Sequence, residues 1–465
     1  MIEQVVEDAL DSIDFQKHSD SCIWVGLSAG VDSTALLHAV AQCCSASGQK
    51  LGAIHVHHGL SEHADAWARQ AQMLCEELSE KFSITIDVVV DRVQLGSYDN
   101  GLEQAARSAR YRIFSKHCGP NDVLLQGHHL DDQFETFFMR AIRGSGLTGL
   151  ASIPKTRSLS RHNSCQILRP FLDTEKNELI EYAKKHQLSW VEDESNQDSK
   201  IDRNWWRNEL LPQIWQRYPE HKHSLSRTIT NIQHEQSLLQ RLLQNLLQGS
   251  DQQLANINIH PALMDIPRFD LSLIQDLDQA TCVSYLRAWL AQHVDNLPSV
   301  MQMDTIYSDL IFARVDREPQ VSWSLSSLHR YQNCLYLLRS DMRNDDSNVS
   351  DDEGVIEWQG GELNCFQGLL VCSALDANFA LTPAQYGVRN WQAGDVAKPS
   401  GRSTRKMKKW WQDYNVPSWM REHWPIIVNK ETNEIAAVPG LFVCQGYCVD
   451  QGETGWLVEY KMILT

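Results

Sequence analysis

Between residues 20 and 130 short apolar runs alternate with longer amphipathic ones. Runs 23–27, 51–57, 84–90 and 123–126 have the length and apolar content of buried strands, and stretches such as 64–78 and 102–114 carry apolar residues at helical spacing. Alternation at this interval predicts an α/β fold, a parallel sheet with helices on both faces. Parallel neighbours need a crossover of a dozen or more residues, and a helix supplies it. In open sheets of that kind ligands sit beyond the carboxyl ends of the strands. The polar clusters fall there: SAGVDS (28–33) after the first run, HVHHGL (55–60) at the end of the second, and GHHLDDQFET (127–136) after the fourth.

The turn Ser28-Ala29-Gly30-Val31-Asp32-Ser33 passes directly into a helix. That leaves several backbone N–H groups unpaired and pointing one way, a nest that attracts an anion. It lacks the Gly-Lys-Ser/Thr ending of a kinase-like phosphate loop. Phosphate binding here therefore falls to backbone N–H groups, the hydroxyls of Ser28 and Ser33, and a metal near Asp32. An ordinary turn capped by Ser33 or Asp32 accounts for the same residues.

With 465 residues, 42% of them hydrophobic, the chain has enough apolar material for several domains. The pattern divides it into a first α/β domain over 1–216, a mostly helical middle domain over 217–345, a linker region over 346–367 and a small α+β domain over 368–465. In the middle part Leu225, Ile229, Ile232, Leu239, Leu242, Leu243 and Leu246 recur at helical spacing, which predicts a long amphipathic helix whose leucines are core. The acidic, polar stretch 343–354 reads as a solvated linker. Twelve cysteines without a C-x-x-C pair give neither a zinc ribbon nor a redox dithiol. An acidic, amphipathic start without a secretory pattern and no run of spanning length predict a cytoplasmic protein with free thiols and no membrane association. The net charge of −17 argues against indiscriminate nucleic-acid binding, yet GRSTRKMKKWWQD (401–413) concentrates Arg402, Arg405, Lys406, Lys408 and Lys409.

The loop SAGVDS resembles the pyrophosphate-binding SGGxDS loop of the N-type ATP pyrophosphatases, the PP-loop family. Together with HVHHGL (55–60), LEQAARSARYRIF (102–114), GHHLDDQFETFFMRAIRGSGLTGL (127–150) and SNQDSKIDRNWWRNELLP (195–212) it resembles the tRNA(Ile)-lysidine synthetase family. The segment VRNWQAGDVAKPSGRSTRKMKKWWQDYNVPSWMREHWPIIV (388–428) is similar to the C-terminal domain of that family's long form. The resemblance implies a Rossmann-like PP-loop domain and an ATP- and Mg²⁺-dependent ligase. ATP would adenylate the wobble cytidine (position 34) of the isoleucine tRNA with a CAU anticodon, L-lysine would attack through its side-chain amine, and AMP and pyrophosphate would leave.

On this reading Ser28, Ala29, Gly30, Val31, Asp32 and Ser33 hold the phosphates, with His58 and Gly59 at the nucleotide's edge, and Asp32 is the metal ligand. Asp132, Glu135 and Arg110 join Asp32 as catalytic residues. Asp131, Asp132 and Glu135 start one helix, so their carboxylates can face one pocket for a cationic amine. Arg107, Arg110 and Arg143 suit the lysine carboxylate or a phosphate. Arg203, Asn204 and Arg207 take a tRNA-facing or site-closing role, and Arg402, Arg405, Lys406 and Lys409 hold RNA. A homodimer is compatible with the sequence. One departure stands out: position 29 is alanine where the family has glycine. If the backbone there needs positive φ, the methyl group costs roughly 1 kcal/mol.

Two rivals use the same residues. His55, His57, His58, His128 and His129 beside Asp131 and Asp132 suggest a metal-dependent hydrolase, although strand alternation sends His55 and His57 to one face and His58 to the other. Another PP-loop ATP pyrophosphatase acting on tRNA, such as a thiolase, would normally want the paired cysteines that are absent. Most of the fifteen tryptophans read as core rather than as platforms for bases.

Overall fold

The computed structural model describes residues 2–12, 21–59, 61–93, 102–160, 163–192, 202–254, 263, 266–314, 318–339, 355–365, 368–375, 380–450 and 453–462. The acidic stretch 343–354 and the 195–201 part of the SNQDSKIDRNWW motif lie outside the described residues. The chain divides into two compact units, Met1–Leu239 and Gln240–Thr465.

The first unit runs α1 (Ile2–Asp11), β1 (Cys22–Gly26), α2 (Val31–Ser47), β2 (Lys50–His57), α3 (Ala64–Phe82), β3 (Ile86–Arg92), α4 (Leu102–His117), β4 (Val123–Leu125), α5 (Leu130–Ile142), α6 (Leu147–Leu150), β5 (Thr156–Ser158), β6 (Gln166–Leu168) and α7 (Lys176–Lys185). Its sheet has the order β3-β2-β1-β4-β6-β5, parallel throughout except that β5 pairs antiparallel with β6. The alternation in the sequence therefore yields the expected parallel sheet, and β5 and β6 add an edge that three-residue strands gave no periodic signal for. The middle of helix α2 is buried on every side, with Ala35, Leu36, Leu37, Ala39, Val40 and Ala41 inaccessible and His38 the one polar residue among them. It stops at Gly48, whose φ of 73° turns its N–H back onto the Cys44 carbonyl.

The sheet positions the site through its order. Chain direction along the order reverses between β1 and β4, and at such a switch point the loops after the two strands diverge and leave a crevice. The loop after β1 is Ser28–Gly30, and the segment after β4 is Gln126–His129. Beyond α7 come α8 (Asp202–Trp205), a π-helical turn over Trp206–Leu210, α9 (Leu211–Arg217) and the long α10 (Lys222–Leu254). Trp206, Leu211 and Ile229 close a small core with Leu130 and Phe134 of α5, and Trp206 stacks on Phe138 at 5.4 Å and 9°.

The expectation that the α10 leucines are core is corrected. Ile229 and Leu247 are buried, but Leu238, Leu239, Leu242 and Leu246 are exposed. Helical spacing shows that apolar residues share a face and cannot show what covers it.

The second unit begins with α-helical and sheet parts together. It holds β7 (Arg268–Asp270), α11 (Gln279–His293), α12 (Val300–Thr305), β8 (Gln320–Trp323), β9 (Ser326–Tyr331) and β10 (Cys334–Arg339), the strands forming an antiparallel sheet of order β7-β10-β9-β8. Later strands build an antiparallel five-stranded sheet around Tyr386–Asn390 and Pro425–Asn429 and a three-stranded one around Gly368–Leu375 and Gly455–Met462. The helix Met407–Asp413 buries Met407, Trp410 and Trp411 against Trp424 and Val428. These tryptophans are core, as expected.

Candidate active site

The loop between β1 and α2 is held by its own hydroxyls. Ser28 Oγ and Ser33 Oγ are 3.1 Å apart, Ser33 Oγ accepts from the Ser28 N–H (3.2 Å) and donates to the Gly30 carbonyl (3.1 Å). Ala29 adopts φ 65° with only 1% of its surface exposed. The position therefore does need the left-handed conformation, and the alanine methyl carries its cost while packing into the core. The Ala29 carbonyl accepts from Val191 N–H at 2.9 Å. Gly30 is the N-cap of α2 and no side chain caps the helix, which leaves Val31, Asp32 and Ser33 at an open helix start.

Asp32 lies in that first turn. Its Oδ1 is buried without a hydrogen-bond partner, and its Oδ2 is 3.7 Å from His129 Nε2. Burial pushes its carboxyl above the ordinary range, against the pull of His129, Lys176 and Arg207. A Cβ added to Gly127, just past β4, would stand 3.0 Å from the Asp32 carbonyl carbon and oxygen. Only glycine admits so close an approach of the two backbones.

His129, 1% exposed, is the junction between the two segments. Its Nε2 is 3.7 Å from Asp32 and 3.6 Å from Asp132, and its Nδ1 is 3.7 Å from Asp131. Its backbone N–H donates to Asp132 Oδ2 (3.0 Å), which caps α5. The carboxylates beyond it do not share one open pocket as expected. Asp131 Oδ2 accepts from the Lys176 backbone N–H at 3.3 Å. Asp132 Oδ1 takes Arg203 Nη2 (2.8 Å) and Arg207 Nη2 (3.1 Å), while Glu135, wholly inaccessible, accepts from Arg203 Nε (2.7 Å), Arg207 Nε (2.6 Å) and Arg207 Nη2 (3.0 Å). Burial opposes ionisation of Asp132, but His129, Arg203, His128 and Arg207 outweigh it and hold its carboxyl well below the usual range. Two carboxylates and two guanidiniums balance, and the pair Arg203/Arg207 reaches one face because the residues are four apart. Asn204 is buried beside them.

The remaining expected residues are spread. His58 is half-buried and held neutral, its imidazole brought down to about 4 by burial and then by Arg110. Gly59 follows at φ 68°. His55 Nδ1 donates to the Leu27 carbonyl at 2.9 Å and His57 Nε2 meets Asp65 at 3.1 Å, so both are anchored within the fold. Arg110 is exposed on α4, and Arg143 is exposed 3.5 Å from Asp202. Arg107 lies over the Tyr111 ring at 5.0 Å. Sequence reasoning missed Arg157 and the buried Arg169, which also gather at Tyr111.

In the second unit Arg402, Arg405, Lys406 and Lys409 are all exposed. Arg402 and Arg405 lie over Trp410 at 5.8 and 5.2 Å, and Arg405 meets Asp413 at 3.2 Å. Among the described residues no three His, Cys, Asp or Glu side chains form a metal-holding group, and no helix is long and apolar enough to cross a membrane.

Residues 2–214 match the family model of a PP-loop domain, 269–336 that of a TilS substrate binding domain and 387–460 that of a TilS substrate C-terminal domain. The chain is similar to tRNA(Ile)-lysidine synthase of Haemophilus influenzae (strain PittGG), 33% identical over 452 residues, covering 94% of this chain and 98% of that one. It is also similar to that of Vibrio atlanticus (strain LGP32), 34% identical with 93% and 94% covered, and of Escherichia coli O157:H7, 33% identical with 93% and 95% covered.

Proposed function

The chain belongs to the tRNA(Ile)-lysidine synthase family, and from that premise we propose how its own residues carry the ATP-dependent joining of L-lysine to the wobble cytidine of the CAU isoleucine tRNA. The observation that carries the reading is the meeting of Asp32, at the open start of α2, with His129 and Asp132 at the start of α5. Phosphate chemistry and amine chemistry are thereby joined at one crevice.

The backbone N–H groups of residues 29–33 and the hydroxyls of Ser28 and Ser33 take the phosphates of ATP. Asp32 Oδ1, buried and unpartnered, fits a divalent cation. Magnesium shared with phosphates needs only one or two protein carboxylates, so the lack of a larger ligand set is no obstacle. Bound there, Mg²⁺ would offset the charge that builds on pyrophosphate. The cytidine carbonyl oxygen, placed in line with the α-phosphorus, displaces pyrophosphate and becomes part of a good leaving group. The neutral lysine ε-amine then forms a bond to the base carbon, loses a proton, and AMP departs with the oxygen.

The division of labour among the carboxylates follows their surroundings. Asp132, held ionised by arginines, orients the amine electrostatically and is a poor base. The proton passes through the imidazole of His129, which stands between the two carboxylates, to the partly exposed Asp131. Glu135 holds Arg203 and Arg207, which close the site. Arg110 and Arg143 serve the lysine carboxylate or the RNA, and residues 217–345 and 368–465 hold the tRNA body, with Arg402, Arg405, Lys406 and Lys409 on its phosphates.

Transfer of labelled lysine to a CAU isoleucine transcript, beside the elongator methionine tRNA with the same anticodon, tests the reading. Labelling of the isoleucine tRNA alone is expected, and equal labelling of both would overturn the specificity. Asp32→Asn is expected to abolish transfer while tRNA binding persists, and wild-type turnover in that variant would remove Asp32 from the mechanism.

A further inference from the structure

Arg107 of α4, Arg157 of β5 and Arg169, directly after β6, converge on one phenol. The guanidinium carbons of Arg107 and Arg157 are 5.0 and 4.6 Å from the Tyr111 ring centroid, and Arg169 Nη2 is 3.5 Å from the Tyr111 hydroxyl. Arg169 is 2% exposed and its Nη1 donates to the Pro154 carbonyl at 2.8 Å, but the Nε atoms of Arg157 and Arg169 are both buried without a partner. Among the described residues no carboxylate pairs with any of the three. Three like charges around one ring, one of them wholly buried, make an unfavourable arrangement unless an anion completes it. The phenol itself responds: burial raises it, but Arg157, Arg107 and Arg169 outweigh burial and bring it down to about 8.

The position of the cluster identifies its use. Arg169 leaves the carboxyl end of β6, two strands along the sheet from the loop after β1, a lateral separation of roughly 10 Å. Once burial has been counted, His128 feels both Asp132 and Arg169, so the cluster lies within electrostatic reach of the crevice. It grades from exposed Arg107 through partly buried Arg157 to buried Arg169. A basic path open to solvent at one end suits a polyanion whose chain continues outside, whereas a free amino acid is best enclosed. In a chain of net charge −17, guanidiniums that meet no carboxylate among the described residues are most useful where RNA enters.

We propose that Arg107, Arg157 and Arg169, gathered around Tyr111, form a subsite for a backbone phosphate of the RNA substrate next to the base being modified. This rests on the tRNA-modifying reading above. The fork geometry of the guanidiniums accepts a phosphodiester in two-point fashion, and Tyr111 fixes their spacing.

Arg157→Gln and Arg107→Ala test it in the full-length protein, since among the described residues neither has a carboxylate partner to orphan. Binding of the CAU isoleucine transcript is measured over a salt series, with Michaelis constants for lysine and ATP. Each variant is expected to weaken tRNA binding about tenfold and to flatten the slope of log affinity against log salt by about one, with the lysine constant unchanged. Arg157→Lys, which keeps charge without the fork, is expected to keep the slope and lose part of the affinity. A raised lysine constant with unchanged tRNA affinity would assign the cluster to the amino-acid carboxylate and overturn the proposal. Unchanged tRNA affinity and lysine constant would make it a structural feature only. Wild-type protein that transfers no lysine would instead defeat the reading on which the proposal rests, and that control separates the two failures.

Discussion

Removing Glu135 should cost stability before it costs catalysis. The side chain is wholly inaccessible and accepts three hydrogen bonds from Arg203 and Arg207, while Asp132 takes one from each. The four charges sum to zero. Glu135→Ala leaves two guanidiniums against one carboxylate, and breaking a buried ion-pair set from one side costs about 3–5 kcal/mol. At about 2–4 °C per kcal/mol for a folding unit of this size, the thermal midpoint should fall by roughly 6–20 °C. Because Arg203 and Arg207 stand on the segment that brings Trp206 onto Phe138, hydrogen exchange at 204–211 should accelerate most. The double variant Glu135→Met with Arg207→Met removes one charge of each sign and should recover most of the loss, since apolar replacement of a balanced buried pair is often neutral. Calorimetry and exchange on the three proteins decide it. An unshifted midpoint in Glu135→Ala accompanied by a steep rise in the lysine Michaelis constant would refute the reasoning and return Glu135 to the lysine pocket.

Three further outcomes follow from the geometry. Ala29→Gly relieves a left-handed alanine, worth about 1–2 kcal/mol, but gives up a buried methyl group and stiffness in the unfolded chain of similar size, so denaturant midpoints should stay within about 1 kcal/mol of wild type; Ala29→Val should lose clearly more. His38, 1% exposed, accepts from Lys81 at Nε2 (2.9 Å) and faces the Tyr182 hydroxyl through Nδ1 (2.8 Å), and burial followed by Lys81 brings it from 6.5 down to about 4. The unfolded chain binds the proton first on acidification, so its contribution is complete above pH 6.5 and is lost progressively towards pH 4, roughly 3 kcal/mol in all, and His38→Gln should flatten a stability profile measured over that window. Replacing Arg405, Lys406 and Lys409 with alanine should weaken tRNA binding across sequences and lower the salt slope by roughly one to two, whereas an unaltered slope would reduce the segment to a solvated surface.

The parallel sheet was legible because β1 to β3 are long enough, and their intervening helices regular enough, to leave two periodicities in the sequence, while the three-residue β4 showed only as a short apolar run. The loop between β1 and α2 was legible for a different reason: Ser28, Gly30, Asp32 and Ser33 are close in sequence, so spacing alone brings them together. The Asp132–Glu135–Arg203–Arg207 set was half legible, as two local pairs whose union depends on how a segment some seventy residues later folds back. Arg169 was invisible, because an arginine after an apolar run looks the same whether it points to water or into a core. The α10 leucines misled for the converse reason, a face being readable from spacing and its cover not.

The glycine at position 127 has a mechanical side. Backbones in direct contact leave no soft side chain to absorb displacement, and close-packed interiors pass strain on. The loop before α2 and the start of α5 should therefore breathe as one body, opening to solvent together. Nucleotide held at residues 28–33 would then slow amide exchange at 128–132 without touching them, so that loading of the first substrate stiffens the ground on which the second must land.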